Sequence, residues 1–166
     1  MKERIIIIGS PGSGKSTFAR KLKDLYGLPL YHLDLFYHKA DHTTVSAEEF
    51  DKKLCEVLEQ DKWIIDGNYS RTLKMRLEKC DTVFLFDLGV EECLKGIRNR
   101  RGKKRPDMPW IEEEEDEEFM EYVKEFPLKQ LGNIYELLEE YKDKKEIVIF
   151  KSHEEADGWL KNEKQK

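Results

Sequence analysis

The run Gly9-Ser10-Pro11-Gly12-Ser13-Gly14-Lys15-Ser16 constrains the fold more than any other stretch of the chain. It follows directly on Ile5–Ile8, a β-branched run that suits a strand buried on both faces. It leads into Ser16–Tyr26, where Phe18, Leu22 and Leu25 fall on one side of a helix that Gly27 terminates. Strand, glycine-rich turn and helix in that order, with the spacing G-x-x-x-x-G-K-[ST], describe a phosphate-binding loop. Glycine lets the backbone curl until successive N–H groups point inward at phosphate oxygens, and the helix N-terminus adds partial positive charge. Gly9, Pro11, Gly12, Ser13, Gly14, Lys15, Ser16 and Thr17 are therefore the expected nucleotide-binding residues. Lys15 would bridge the terminal phosphates and the Ser16 hydroxyl would ligate Mg2+.

The rest of the chain continues the alternation. Leu28–Leu33 reads as a second strand ending near Asp34, Trp63–Ile65 as a third running into Asp66-Gly67, Thr82–Phe86 as a fourth ending at Asp87, and Glu146–Phe150 as a fifth. Ser46-Ala47-Glu48-Glu49 has the capping-box spacing of a helix start, and Phe50, Leu54, Val57 and Leu58 form that helix's apolar stripe. Val90, Cys93, Leu94 and Ile97 mark another helix. Helical patterning returns from Phe119 to Tyr141, with a break expected at Pro127. A short last helix starts at Ser152, and Lys161–Lys166 is expected to fray. Between Arg98 and about Glu118 the sequence is dense in charge and has no period. The pattern predicts one α/β domain over 1–166: a three-layer P-loop fold with a five-stranded parallel sheet and a helical lid at about 99–118.

Composition narrows the partners. The chain has 166 residues, 39% of them charged, and a net charge of −5, which argues against a protein that coats nucleic acid or anionic membrane. No apolar run approaches the ~20 residues needed to span a bilayer. The short run after Met1-Lys2-Glu3-Arg4 meets loop chemistry rather than a cleavage site. Cys55, Cys80 and Cys93 fit neither a disulfide framework nor a metal site, so a reduced, cytoplasmic setting is expected.

The class of P-loop protein follows from what accompanies the loop. No N-K-x-D segment is present to read guanine, which favours ATP, and no acid follows a strand aspartate to activate water. Transfer to a bound acceptor is therefore favoured over hydrolysis. With its loop, Asp34 after strand two, Asp66-Gly67 after strand three and a basic segment after strand four, the chain resembles the adenylate kinase and shikimate kinase group. More narrowly, Asp66-Gly67-Asn68-Tyr69-Ser70 with Arg105-Pro106-Asp107 resembles the DNA topology modulation proteins of the FlaR type, a group named for a phenotype.

The resemblance implies roles. Asp34 would face the acceptor hydroxyl or the metal shell, Asp66 would organise the Mg2+ shell with Ser16, and Arg98, Arg101 and Arg105 would be lid arginines that clamp the transferring phosphoryl group. Lys15 and these groups would form the catalytic set, and Asp34, Tyr69 and Arg71 would contact the acceptor. One departure matters: no arginine lies between Arg20 and Arg71, where nucleotide kinases usually hold an acceptor phosphate. A nucleotide acceptor and an uncharged hydroxyl acceptor such as a nucleoside both stay open. A different class of reading is a nucleotide-binding regulator that affects DNA topology through a partner or through Arg98–Arg105. The acidic run Glu112–Glu118 would repel a phosphate backbone and argues against direct DNA contact. Asp87 is read as shaping a turn. His32, His38 and His42 are read as structural or substrate-facing rather than as metal ligands.

Overall fold

The computed structural model describes all residues from Met1 to Lys166. Five strands, β1 (Arg4–Gly9), β2 (Leu30–His32), β3 (Trp63–Asp66), β4 (Thr82–Phe86) and β5 (Glu146–Phe150), form one sheet in the order β2-β3-β1-β4-β5. Every pairing is parallel. The helices are α1 (Lys15–Tyr26), α2 (Leu33–Tyr37), α3 (Ala47–Leu58), α4 (Leu73–Lys79), α5 (Val90–Arg100), α6 (Glu117–Phe126), α7 (Gly132–Glu139) and α8 (His153–Lys164).

The two-residue period of the strands sorts the core into two layers. Ile6 and Ile8 of β1, with Trp63, Ile65, Val83 and Leu85, pack beneath α3, α4, α7 and Phe126 at the end of α6, whose Met120 and Val123 join the opposite layer. Ile5 and Ile7, with Ile64, Phe84 and Phe86, pack beneath α1, α5 and α8. All four isoleucines are fully buried, and each contributes about 1.5–3 kcal/mol through its apolar surface. The sheet therefore fixes β1, and with it the glycine-rich loop at its carboxyl end. Because β1 lies between β3 and β4, the strand order reverses there and opens a crevice at that end, where open α/β sheets bind ligands.

Several local expectations change. The second strand is only Leu30–His32, because the chain turns into α2 at Leu33, so Asp34 sits in the first turn of a short helix rather than after a strand. The Lys-rich end does not fray at Lys161, since α8 runs to Lys164 behind the Ser152 cap. Pro127 does not break the helix. Lacking an N–H, it begins a π-helical turn over Pro127–Leu131, and the wider turn carries α6 on into α7. The 99–118 segment is helical only at its ends. Between Arg101 and Asp116 it is irregular, so the helical lid of the sequence reading is instead a loop held by side-chain contacts.

Candidate functional site

The loop between β1 and α1 is shaped by contacts from three directions. Ser10 N donates to Phe86 O at 2.9 Å, which ties the loop to β4. Asn68 brackets the Gly9 peptide from the β3 side, accepting from Gly9 N at 2.9 Å and donating to Gly9 O at 2.7 Å. On the α5 side the backbones nearly touch. A Cβ on Gly96 would lie 2.1 Å from Gly12 O, and one on Gly12 would lie 2.3 Å from Cys93 O, so both positions require glycine. Gly12 also has a φ of 76°, which disfavours any side chain.

Lys15 lies across this loop and donates to Ser10 O at 2.9 Å. Burial lowers its pKa, while the charges of Asp66 and Asp34 pull it back up. Ser16 Oγ donates to Asp66 Oδ2 at 2.6 Å and lies 3.3 Å from Asp107 Oδ2. The register His32↔Asp66 sets those two side by side, with His32 Nδ1 2.8 Å from the same carboxylate oxygen. Arg105 in turn lies 3.3 Å from Asp107.

Asp34 stands across the crevice. Tyr69 Oη donates to Asp34 Oδ1 at 2.7 Å. Burial raises the Asp34 carboxyl above its ordinary range and the Tyr69 hydrogen bond partly offsets that rise. Tyr69 has a φ of 41°, an unfavourable value that Arg76 enforces. That guanidinium, fully buried in α4, donates to Gly67 O at 2.9 Å, to Tyr69 O at 3.3 Å and to Asn68 O. Burial pushes its pKa down to about 10, so it stays charged at neutral pH. One buried cation thus fixes the backbone that aims both Asn68 and Tyr69.

Pro11, Gly12, Lys15, Ser16, Asp34 and Asp66 line one cavity of about 320 Å³, together with Asn68, Tyr69, Arg100 and Asp107. A second cavity, about 270 Å³, borders it and joins Gly14, Ser16, Thr17 and Arg20 to Arg105 and His153. His153 Nε2 lies 3.0 Å from Ser13 O.

Five buried side-chain polar atoms have no hydrogen-bond partner; three of them, Ser10 Oγ, Arg20 Nη1 and Asp66 Oδ1, lie around the loop, and a fourth, Arg100 Nε, has only the longer ion pair with Glu112 at 3.7 Å. Buried polar groups are normally paired, so this clustering marks the place where a polar ligand completes the structure. The residues fit Mg2+ with a polyphosphate. One serine hydroxyl and one or two carboxylates beside a phosphate cradle are a common donor set for that ion, which otherwise keeps its waters.

The predicted site residues divide. Pro11, Gly12, Gly14, Lys15, Ser16, Thr17, Asp34, Asp66 and Tyr69 line the two joined cavities and Arg105 joins the second, whereas Gly9 and Ser13 are buried behind the loop and line neither. Arg71 does not. It points away from the crevice and makes a bidentate pair with Asp51 of α3 at 2.7 and 2.8 Å. Arg98 and Arg101 line a separate cavity facing His38, His42 and Trp110, and Arg98 pairs with Glu115 at 3.3 Å. Arg100, on the opposite side of that helical turn, is the one that reaches all three cavities. Sequence reasoning misses Asp107 and His153 because their partners are distant in the chain, and it misses Arg76 and Arg100 because helix periodicity does not reveal which way a single arginine points.

Asp87 binds Tyr135 Oη at 2.6 Å and pairs with Lys151, which joins β4, α7 and β5 outside the crevice. His42 stacks on Trp110 with ring centres 4.2 Å apart, and His38 meets the same ring edge-on at 5.1 Å. These contacts fasten the irregular segment to the loop after α2. No helix is long and apolar enough to cross a membrane.

No protein family model matches the chain. Among curated proteins it is similar to the adenylate kinase of Thermotoga maritima, 28% identical over 89 residues, 52% of this chain and 40% of that protein. The adenylate kinase of Thermosipho melanesiensis is 27% identical over 145 residues, 81% of this chain and 64% of its own. That of Kosmotoga olearia is 30% identical over 107 residues, 60% and 48%. The chain thus spans less than two thirds of the length of these relatives. Among solved structures, shikimate kinase from Bacteroides thetaiotaomicron superposes with a TM-score of 0.59 at 17% identity, covering 99% of this chain and 98% of the other. Shikimate kinase from Acinetobacter baumannii in complex with shikimate gives 0.65 at 17% identity, covering 98% and 90%. By sequence the chain is distantly similar to adenylate kinases, and its five-stranded parallel α/β fold matches the shikimate kinase structures.

Proposed function

We propose that this protein transfers the terminal phosphoryl group of ATP to a hydroxyl of a small molecule, as a nucleoside- or nucleotide-kinase-like enzyme. The observation that carries the reading is the shared cavity: Lys15 and the Ser16–Asp66 pair on one wall, Asp34 on the other. The acceptor oxygen attacks the γ-phosphorus, the bond to the bridging oxygen breaks, and ADP leaves. The hydroxyl proton passes to Asp34, whose raised pKa suits it to receive one. Lys15, Arg100 and Arg105 neutralise charge on the phosphates, and the backbone of Gly12–Ser16 cradles them. Ser16, Asp66 and Asp107 would hold Mg2+, which supplies further neutralisation between the phosphates when bound. Closure of the 99–118 segment over the site would keep water from the reacting phosphorus.

The distant adenylate kinase relationship supports this reading. The likeness to DNA topology modulation proteins has its specific motifs at Asp66–Ser70 and Arg105–Asp107, and that group's name gives no reaction. Direct DNA contact is disfavoured because Arg98, Arg100 and Arg105 of the basic run face Glu115 and Glu112 of the acidic run. The free cysteines suit the reduced, ATP-rich cytoplasm.

The test is a coupled ADP-release assay with ATP and Mg2+ against a panel of hydroxyl compounds and a no-acceptor control. Release raised by one compound, with its phosphorylated form found by mass, supports the kinase. ATP binding without release by any acceptor would shift the account to a nucleotide-dependent regulator.

A further inference from the structure

The one cation beside the acceptor face of the main cavity is Arg100, whose guanidinium lies 5.9 Å from the Phe119 ring centre and pairs with Glu112. The whole lining sets Lys15 and Arg100 against the three carboxylates Asp34, Asp66 and Asp107. The two other arginines nearby are spent elsewhere: Arg71 on Asp51, and Arg76 on the carbonyls of Gly67, Asn68 and Tyr69. The adjoining cavity under the irregular segment gives no surplus either. There four arginines face five carboxylates: Arg98, Arg100 and Arg105 pair with Glu115 and Glu112, Arg101 makes no ion pair, and Asp34, Glu114 and Asp116 complete the acidic side.

What lines the acceptor side instead is one face of the α6–α7 run. Phe119, Tyr122, Phe126, Gln130 and Ile134 follow one another at three- or four-residue spacing and all border the cavity. Phe119 and Tyr122 are near-parallel, 23° apart with ring centres at 6.2 Å, and Phe126 meets Tyr122 edge-on at 5.9 Å. Tyr122 keeps 40% of its surface exposed, which is high for an aromatic ring beside a cavity. Gln130 sits in the π-helical turn, a feature frequent at functional sites. It is the one side-chain amide on the cavity left for a ligand, since Asn68 spends both ends of its amide on Gly9.

We infer that the acceptor is a neutral hydroxyl compound carrying a flat, hydrogen-bonding ring, of the chemical class of the nucleosides, and not a phosphate or carboxylate. This rests on the kinase reading above. An anionic group on this wall would meet aromatic rings and the Asp34 carboxylate, and the cation nearest to it, Arg100, is already paired with Glu112 and so offsets little of its desolvation. A flat ring stacks on the aromatic face, Gln130 reads its edge with one donor and one acceptor, and a sugar hydroxyl reaches Asp34.

The experiment uses the full chain with ATP and Mg2+ and three probe sets: nucleosides, their 5′-monophosphates, and hydroxy acids. A nucleoside should give the largest kcat/KM, at least about tenfold above its own monophosphate. Gln130→Leu and Tyr122→Ala should each raise the nucleoside KM about tenfold, while calorimetric binding of ADP shows the variants folded. Gln130→Arg should shift preference toward the monophosphate. Preferred transfer to a monophosphate or hydroxy acid, or a KM unmoved in both truncations, would overturn the inference and leave the kinase reading standing. Failure of every probe to raise ADP release would overturn the kinase reading itself.

Discussion

The two walls of the crevice are built in opposite ways. The phosphate wall is mostly backbone: one local loop, one helix N-terminus, and glycines at the points where α5 and β4 press closest. The acceptor wall is side chains drawn from α2, the segment after β3, and the α6–α7 run. A backbone cradle recognises what all nucleoside triphosphates share and tolerates little variation, whereas a side-chain wall can change its ligand by single substitutions. The contrast explains why the phosphate loop is specific in the sequence and the acceptor is not.

The contrast can be broken first at Lys15. Lys15→Ala should reduce kcat/KM for ATP by at least about 10²-fold, since it removes a charge aimed at the transferring group; steady-state kinetics showing full turnover would refute its role. Asp34→Asn acts on the other wall. It should lower kcat by about 10²–10⁴-fold with ATP affinity retained. In the parent protein, activity should fall with decreasing pH as Asp34 becomes protonated. Because its folded pKa is raised, that loss should begin above the ordinary carboxylate range. Linkage gives the sign for stability: a raised carboxyl pKa means that ionised Asp34 costs folding free energy at neutral pH. The Asn variant without ligand should therefore melt no lower than the parent.

Arg76→Ala probes the scaffold between the walls. Removing a buried cation that holds three carbonyls should destabilise by about 3–5 kcal/mol, read by denaturant unfolding, because those carbonyls lose their partners. Gly96→Ala should cost about 1–3 kcal/mol and weaken ADP binding, because its Cβ would push on Gly12 O. Arg71→Ala should change neither kcat nor KM, since its exposed pair with Asp51 lies outside the crevice; a rise in acceptor KM would return Arg71 to the site.

How much of this was legible follows from the range of each interaction. β1, the loop and α1 are contiguous, and the isoleucine run, the glycines and Gly27 specify them locally. The Ser46 cap and the fourth and fifth strands are local features too, and their boundaries match. Asp34 was legible as a residue of interest but not as part of a helix, since Leu33–Tyr37 is too short to show a period. Arg71 misled because its partner sits 20 residues earlier, on a helix whose orientation no pattern reveals. Asp107 meets Ser16 across 91 residues, and His153 meets Ser13 across 140. Among Arg98, Arg100 and Arg101, only the direction of the last turn of α5 decides which one lines the cavity beside the glycine-rich loop. Pro127 was read as a break because the rule for proline is local, while packing of Phe126, Leu131 and Ile134 in the core keeps the helix going.

The central claim is that both walls serve one transfer reaction. Single-turnover incubation of the protein with γ-labelled ATP, Mg2+ and the acceptor panel tests it most directly. The account predicts that label moves to an acceptor in the parent protein, and that Asp34→Asn binds the ATP but leaves the label on it. Label released only as inorganic phosphate, at a rate no acceptor changes, would contradict it.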